Sequence, residues 1–273
     1  MSELVLIDFQ EGGYFTYPNP VDTARSDTDL DDASVEWLRA FAAAREGSFD
    51  GVAHLLEVFP DAQHPQLRHA YTQLLGDAGP KACIDLVRLK LKNTDTDNLT
   101  ERVMARRFGR VLAEGGKLAD IPLLLDIYLR TRADKDSEIF PVWIAALIEP
   151  DTEVFCDPAD YFDIEGYRAA VMSRYESLVE ALGSPEVYVF EGAPFGVVRL
   201  ARMMMNRLRE ADFMPEYRQR FEASTGIDCR SFYRDGFFQS LNAAAILEDF
   251  TSGPGSEQFE EGVRYFFGHR IPD

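Results

Sequence analysis

From Ser34 to Pro150, apolar residues recur at three- and four-residue intervals in segments that begin every 15 to 22 residues. Only a succession of short amphipathic helices satisfies that pattern. Val52, Leu55, Leu56 and Phe59 fall at i, i+3, i+4 and i+7 before Pro60. Leu67, Ala70, Tyr71, Leu74 and Leu75 repeat the spacing after Pro65, a residue suited to a first helical turn. Val35, Leu38 and Ala42, with Trp37 and Phe41 beside them, form an earlier stripe. Beyond the Gly79-Pro80 break, Ile84, Val87 and Leu91 mark a helix that Leu86 and Leu89 make apolar on more than one side. Asn98 three residues before Glu101 reads as a capping box. The helix it opens carries Val103, Met104, Phe108, Val111 and Leu112 and ends at Gly115-Gly116. Ile121, Leu124, Leu125 and Tyr128 mark the next, and Val142 to Ile148 the last before Pro150.

Taken in pairs, these helices give units of about 31 to 40 residues, the size of helical-hairpin repeats, without a residue-level consensus. The flanks differ. Leu4 to Phe9 and Tyr14 to Tyr17 around Glu11-Gly12-Gly13 read as a β-hairpin followed by a polar loop. Beyond Pro150 an irregular acidic stretch leads to longer helices: Val171, Tyr175, Leu178 and Leu182 share one spacing, and Val197, Ala201, Met204 and Leu208 repeat it. Pro215 opens another helix that Gly226 closes, and Ser231 to Phe250 reads as a long aromatic-rich helix. Val189 and Phe190 lie in a possible short strand, and Val263 to Phe267 has strand composition suited to pairing with the N-terminal hairpin. The expected organisation is therefore mainly α: residues 1–33 as hairpin and acidic loop, 34–150 as stacked antiparallel helical hairpins, and 151–273 as a second α-rich half with a terminal β segment.

Charge narrows the functional classes. The chain carries 47 Asp+Glu against 28 Lys+Arg, a formal net charge of −19, yet 46% of it is hydrophobic, so acidity does not signal disorder. Such a chain repels phosphate backbones and anionic membranes and attracts basic proteins. Spread evenly over about 12,000 Å² of surface, the excess would place only one or two charges on a contact face of about 800 Å². Recognition therefore requires clustering. Asp22, Asp27, Asp29, Asp31, Asp32 and Glu36 surround a single Arg25. From Glu149 to Glu165 no Lys or Arg occurs, and Phe155, Tyr161 and Phe162 are interleaved with acids. An apolar anchor with a charged rim suits a protein interface, and Glu153, Asp157, Asp160, Tyr161, Asp163 and Glu165 are the candidate partner-binding residues. The competing reading is a solvated loop whose aromatics pin it to the core.

No catalytic, metal or cofactor site is expected. The alternating acids at Asp27, Asp29 and Asp31 fail as a calcium loop, because Asp32 and Leu38 stand where glycine and glutamate are required. Cys83, Cys156 and Cys229 are isolated thiols without a C-x-x-C pair, and His64 and His69 point to different helix faces. Nucleophile-elbow, zincin, P-loop and dinucleotide fingerprints are missing from the sequence. Arg102, Arg106 and Arg110 form one basic row and Arg199, Arg202 and Arg209 another; intramolecular pairing and anion binding are the two readings of such rows. The GHRIPD tail, with His269 and Arg270, is expected to dock on the last helix, or alternatively to offer a functional His–Arg pair. The N-terminus lacks signal-peptide character, and the reduced thiols suit the cytoplasm.

The helical array over Ser34 to Ile148 resembles HEAT/armadillo-like proteins. With the strings LNAAAILEDF (241–250) and RYFFGHRIPD (264–273), the whole also resembles the immunity proteins of bacterial polymorphic-toxin systems. That resemblance implies a non-catalytic protein that binds a basic toxin domain and neutralises it. The alternatives are a helical-repeat adaptor and an enzyme with a pocket between the halves. Nucleic acid and membrane are not expected partners, and the oligomeric state stays open.

Overall fold

The computed structural model describes residues 14, 32–58, 65–132, 135–149, 153–156, 163–209, 215–234 and 237–273. The protein is mainly α-helical, and the described residues include three small two-stranded antiparallel hairpins. In chain order the elements are α1 (Asp32–Arg45), α2 (Asp50–Val58), α3 (Pro65–Ala78), α4 (Lys81–Lys92), α5 (Leu99–Gly115), α6 (Ile121–Thr131), α7 (Ile139–Ile148), α8 (Glu153–Cys156) and α9 (Ile164–Leu182). There follow β1 (Val189–Phe190), β2 (Ala193–Pro194), α10 (Val197–Arg207), α11 (Pro215–Thr225), β3 (Tyr233–Arg234), β4 (Phe237–Phe238), α12 (Ser240–Ser252), β5 (Tyr265–Phe266) and β6 (His269–Arg270). Two compact units result: Met1–Pro80 with Gly196–Asp273, and Lys81–Phe195.

In the first unit α1 packs on α2 and α3, and α11 packs on α3, α10 and β5. The buried face of α1 is Trp37, Leu38, Phe41 and Ala44, while Val35 and Ala42 of the expected stripe stay part-exposed. Aromatic size decides this: the Trp37 and Phe41 rings stack at 5.1 Å and draw the helix round to bury them. Helix α3 is buried on every side from Tyr71 to Gly79, polar residues included. Its C-terminal carbonyls, which have no partner within the helix, accept hydrogen bonds from the buried Arg264: Nη1 donates to Gly79 O at 3.0 Å and Nη2 to Gly76 O.

The chain end differs from expectation. Strand β5 pairs with β6; the pairing expected with the N-terminal hairpin falls, Tyr14 excepted, on residues outside the described ones. Tyr14, the described residue of that hairpin, lies in a helical turn, stacks on Phe41 at 5.3 Å and meets the Phe266 ring edge-on at 5.5 Å. Described hydrogen bonds of the tail reach α11 and the residue before β5: Phe267 N donates to Ala223 O, Gly268 N to Ser224 O and Ile271 N to Arg264 O. His269 covers Gly47, where a Cβ would sit 2.9 Å from its Nδ1. The long helix expected over 231–250 is broken, because Tyr233 pairs with Phe238 and Arg234 with Phe237 before α12 begins.

In the second unit α4 packs on α5, α5 on α7, and α6 on α7 and α9. Asn98 caps α5 by accepting from Thr100 N and Glu101 N, and Gly116 ends it in the left-handed region. The reciprocal half of the capping box does not form, since Glu101 accepts instead from Asp95 N at 2.7 Å. The segment around β1 and β2 straps the unit. Leu118 N, Ala119 N and Val189 N tie it to the α5–α6 turn, and Glu191 N and Gly192 N donate to Ala146 O and Leu147 O. Arg174 Nε on α9 donates to Ile148 O at 3.0 Å, so the C-terminal carbonyls of α7 are satisfied by distant residues.

Gly109 lets α5 and α7 approach: a Cβ there would lie 2.6 Å from Phe140 Cε1 and 3.1 Å from Trp143 Cζ3. Gly109→Ala gains about 1 kcal/mol of helix propensity and overpacks the contact by about 1–3 kcal/mol. A net loss is expected in urea unfolding, against no packing cost for Gly255→Ala, where a Cβ meets nothing within 4 Å. A stabilised Gly109→Ala protein would show that the helices do not meet through this residue.

Candidate functional site

The acidic junction selected from the sequence is described only in part. Asp157, Asp160 and Tyr161 lie outside the described residues; Glu153 opens α8, and its side chain also lies outside them. Asp163 and Glu165 flank the start of α9 and are both exposed. Asp163 is the N-cap: its Oδ1 accepts from Gly166 N at 2.7 Å. A capping carboxylate satisfies an orphan N–H and favours the helix dipole, so this residue has a structural task besides its charge. Between them Ile164 remains 41% exposed, and Val154 on α8 is 40% exposed. Phe155, by contrast, is buried, as the loop-pinning reading expects. One aromatic thus anchors the stretch to the core, and Val154 and Ile164 stay partly in solvent.

The basic rows separate. Arg102 Nη1 donates to Thr96 O at 3.0 Å, and Arg106, Arg107 and Arg110 line an open cleft of about 310 Å³ with Val103, Ile139 and Trp143. Arg110 Nε also approaches Glu114 Oε1 at 3.5 Å. The sequence pattern missed Arg107, because it lies off the i, i+4 row and joins the cleft from the neighbouring helical position. Arg88 and Lys117 of this unit pair with carboxylates. Arg88 makes a two-pronged contact with the buried Asp120, Nε to Oδ1 at 2.5 Å and Nη2 to Oδ2 at 2.9 Å, and its Nη1 donates to Asp85. The hydrogen bond to Asp120 raises the Arg88 pKa. Buried Lys117 donates to Glu186 Oε2 at 2.9 Å, and that bond holds the Glu186 carboxyl below its ordinary range.

Sequence reasoning did not find the buried polar cluster of the first unit. Asp77 Oδ2 on α3 accepts from Tyr14 Oη at 2.5 Å and from Gln73 Nε2 at 2.8 Å. Glu222 on α11, fully buried, accepts from Tyr14 N, 208 residues away, and from Cys229 N at 3.3 Å. Burial pushes its pKa up to about 7, against the opposing pull of Arg218 one turn earlier. Burial likewise drives the Cys229 thiol well above its ordinary value, the opposite of what a reactive thiolate needs. The cluster is enclosed and serves cohesion, binding Tyr14 to α3 and α11. Nothing in a sequence separates a buried carboxylate from the many solvated ones; the only hint is that α11 has few apolar residues for so buried a helix.

Among the described residues, no three His, Cys, Asp or Glu side chains gather as a metal ion requires, and no described helix is long and apolar enough to cross a membrane. Family models, curated proteins and solved structures give no match to this chain.

Glu222 makes stability depend on pH. Its folded pKa of about 7 exceeds its ordinary value of 4.5, so between these values the folded protein holds a proton that the unfolded chain has released. Its contribution is complete below pH 4.5 and is lost as pH rises through about 7, a change of about 3 kcal/mol. Urea unfolding across that window is expected to show wild type losing stability relative to Glu222→Gln by about that amount. Parallel pH profiles for the two proteins would contradict the assignment.

Proposed function

We propose that this is a non-catalytic binding protein whose acidic face meets a basic protein partner, and that the partner is a bacterial toxin domain which it neutralises. One observation supports the reading most: Ile164, 41% exposed, stands between the exposed carboxylates Asp163 and Glu165 at the start of α9. Apolar side chains left in water within a stretch free of Lys and Arg provide desolvation energy at the centre of a contact and charge at its rim. The excess of acids over bases directs a basic partner toward it. Helical hairpins of the HEAT type within the unit that holds α9 would present such a face.

A second reading, an adaptor joining two proteins, draws on a different observation. In the other unit Phe237 is 74% and Leu241 84% exposed, a second apolar pair available to a second partner.

The test is co-expression with the product of the adjacent gene, followed by affinity measurement on the purified pair. Asp163→Asn keeps the capping oxygen and removes the charge, and Glu165→Gln removes the second. The double variant is expected to melt as wild type does and to bind at least about tenfold more weakly. Ile164→Ala is expected to weaken binding by a similar factor. Unchanged affinity in both variants would remove this face from the interface, and a neighbour that neither binds nor harms cells would remove the toxin reading.

A further inference from the structure

Helix α4 turns leucines to solvent where an amphipathic helix places charge. Its buried face is Cys83, Ile84, Val87 and Leu91. At about 100° per residue, the middle of the opposite arc belongs to Ala82, Leu86 and Leu89, spaced i, i+4 and i+7. Leu86 is 48% and Leu89 55% exposed, and Ala82 is exposed beside them. Apolar residues scattered singly over a surface need no explanation, but these three are neighbours on one helix face and form a patch.

The borders of the patch are basic. Helical geometry sets Lys81 and Lys92 along one edge and Lys90 along the other, and these are three of the five lysines in the chain. All three are exposed. The one acid of α4 is already engaged: Asp85 accepts from Lys81 Nζ at 2.5 Å and from Arg88 Nη1 at 2.6 Å. Arg88 in turn reaches inward to Asp120. Lys90 stands 6.0 Å from the centre of the Phe108 ring. Among the described residues neither Lys90 nor Lys92 pairs with a carboxylate, so a positive charge lies on each side of the leucines.

We propose that this face of α4 docks an acidic amphipathic helix of a partner protein. Apolar side chains of that helix pack on Ala82, Leu86 and Leu89, and its carboxylates meet Lys90 and Lys92. An apolar centre inside a charged rim is the anatomy of a protein contact, and the charge of the rim selects the sign of the partner. A ridge at i, i+4 and i+7 is the surface against which a second helix interlocks. The net charge of −19 limits the partner's extent. Repulsion from the rest of the chain is screened beyond about 10 Å at 0.1 M salt, so a short acidic segment that touches only α4 is held by its lysines. An anionic bilayer cannot avoid the remaining acids and is repelled. The site lies on a different helix from the acidic face at α9, takes the opposite charge and does not rest on the reading given for that face.

The test immobilises the full chain and selects a display library of helical peptides on it, with counter-selection on Leu86→Gln/Leu89→Gln, a change that keeps helix propensity. The enriched peptides are expected to carry apolar residues at helical spacing with Asp and Glu beside them. For the strongest of them, Kd measured by fluorescence anisotropy is expected to rise at least about tenfold in Leu86→Gln/Leu89→Gln. Lys90→Glu and Lys92→Glu are each expected to raise it about three- to tenfold. Arg39→Glu on α1, in the other unit and exposed, makes the same change in net charge and is expected to leave Kd unchanged. Melting curves confirm that each variant is folded. A selection that yields no peptide sensitive to Leu86 and Leu89, or one dominated by basic peptides, would overturn the proposal. Vesicles of phosphatidylcholine and phosphatidylserine that bind wild type but not Lys90→Glu/Lys92→Glu would overturn it in favour of a membrane surface. A dimer seen by light scattering and lost in Leu86→Gln/Leu89→Gln would overturn it in favour of a second copy of the chain.

Discussion

With 47 acids against 28 Lys and Arg, this chain cannot neutralise its carboxylates in pairs, and a buried charge without a partner is among the costliest things a fold can contain. The arrangement of both units follows from that constraint. Basic groups that enter the interior meet acceptors there: Arg88 holds Asp120, Lys117 holds Glu186, and Arg264 closes the carbonyl end of α3. A carboxylate that must be buried without a close ion pair, Glu222, accepts backbone N–H groups and has its pKa raised to about 7. Many remaining acids, Asp163 and Glu165 among them, stay in water. Among the described residues the buried charges nearly balance, with Asp77, Asp120, Glu191 and Glu222 against Lys117, Arg218 and Arg264, so the negative excess of the composition falls mainly on the surface.

The same constraint explains how each unit is held together. Short helices bury too little apolar area to be stable alone, and here distant polar groups complete them. Tyr14 satisfies Glu222 and Asp77 at once, and Arg174, Glu191 and Gly192 complete the C-terminus of α7. Both devices use hydrogen bonds between residues far apart in sequence, which fix one arrangement of helices more strictly than apolar contact does.

What the sequence makes legible is local. Helix positions followed from the i, i+3, i+4 stripes, and their ends from Gly79-Pro80, Gly116 and Gly226, because a glycine or proline changes backbone energetics wherever it stands. The face of α1 was misjudged by part of a turn, since ring stacking between Trp37 and Phe41 outweighs the aliphatic stripe. Apolar periodicity over 231–250 concealed the β3–β4 hairpin, although Asp235-Gly236 between Arg234 and Phe237 is a turn signal. Of the candidate interface, the exposed acids around Asp163 and the pinning aromatic, Phe155, were within reach of sequence; the solvent-facing Ile164 was not, because burial depends on which helices lie alongside. Arg107 was missed for the same reason, as the cleft is made by α5 and α7 together.

In the function proposed, the surface acids act on a partner at a distance, beyond keeping the chain soluble. The most direct measurement is the association and dissociation rate of the co-expressed partner across a series of NaCl concentrations. The association rate is expected to fall steeply as salt screens the field, with dissociation changing little. An association rate that stays constant across the series would show that the charge plays no part in recognition.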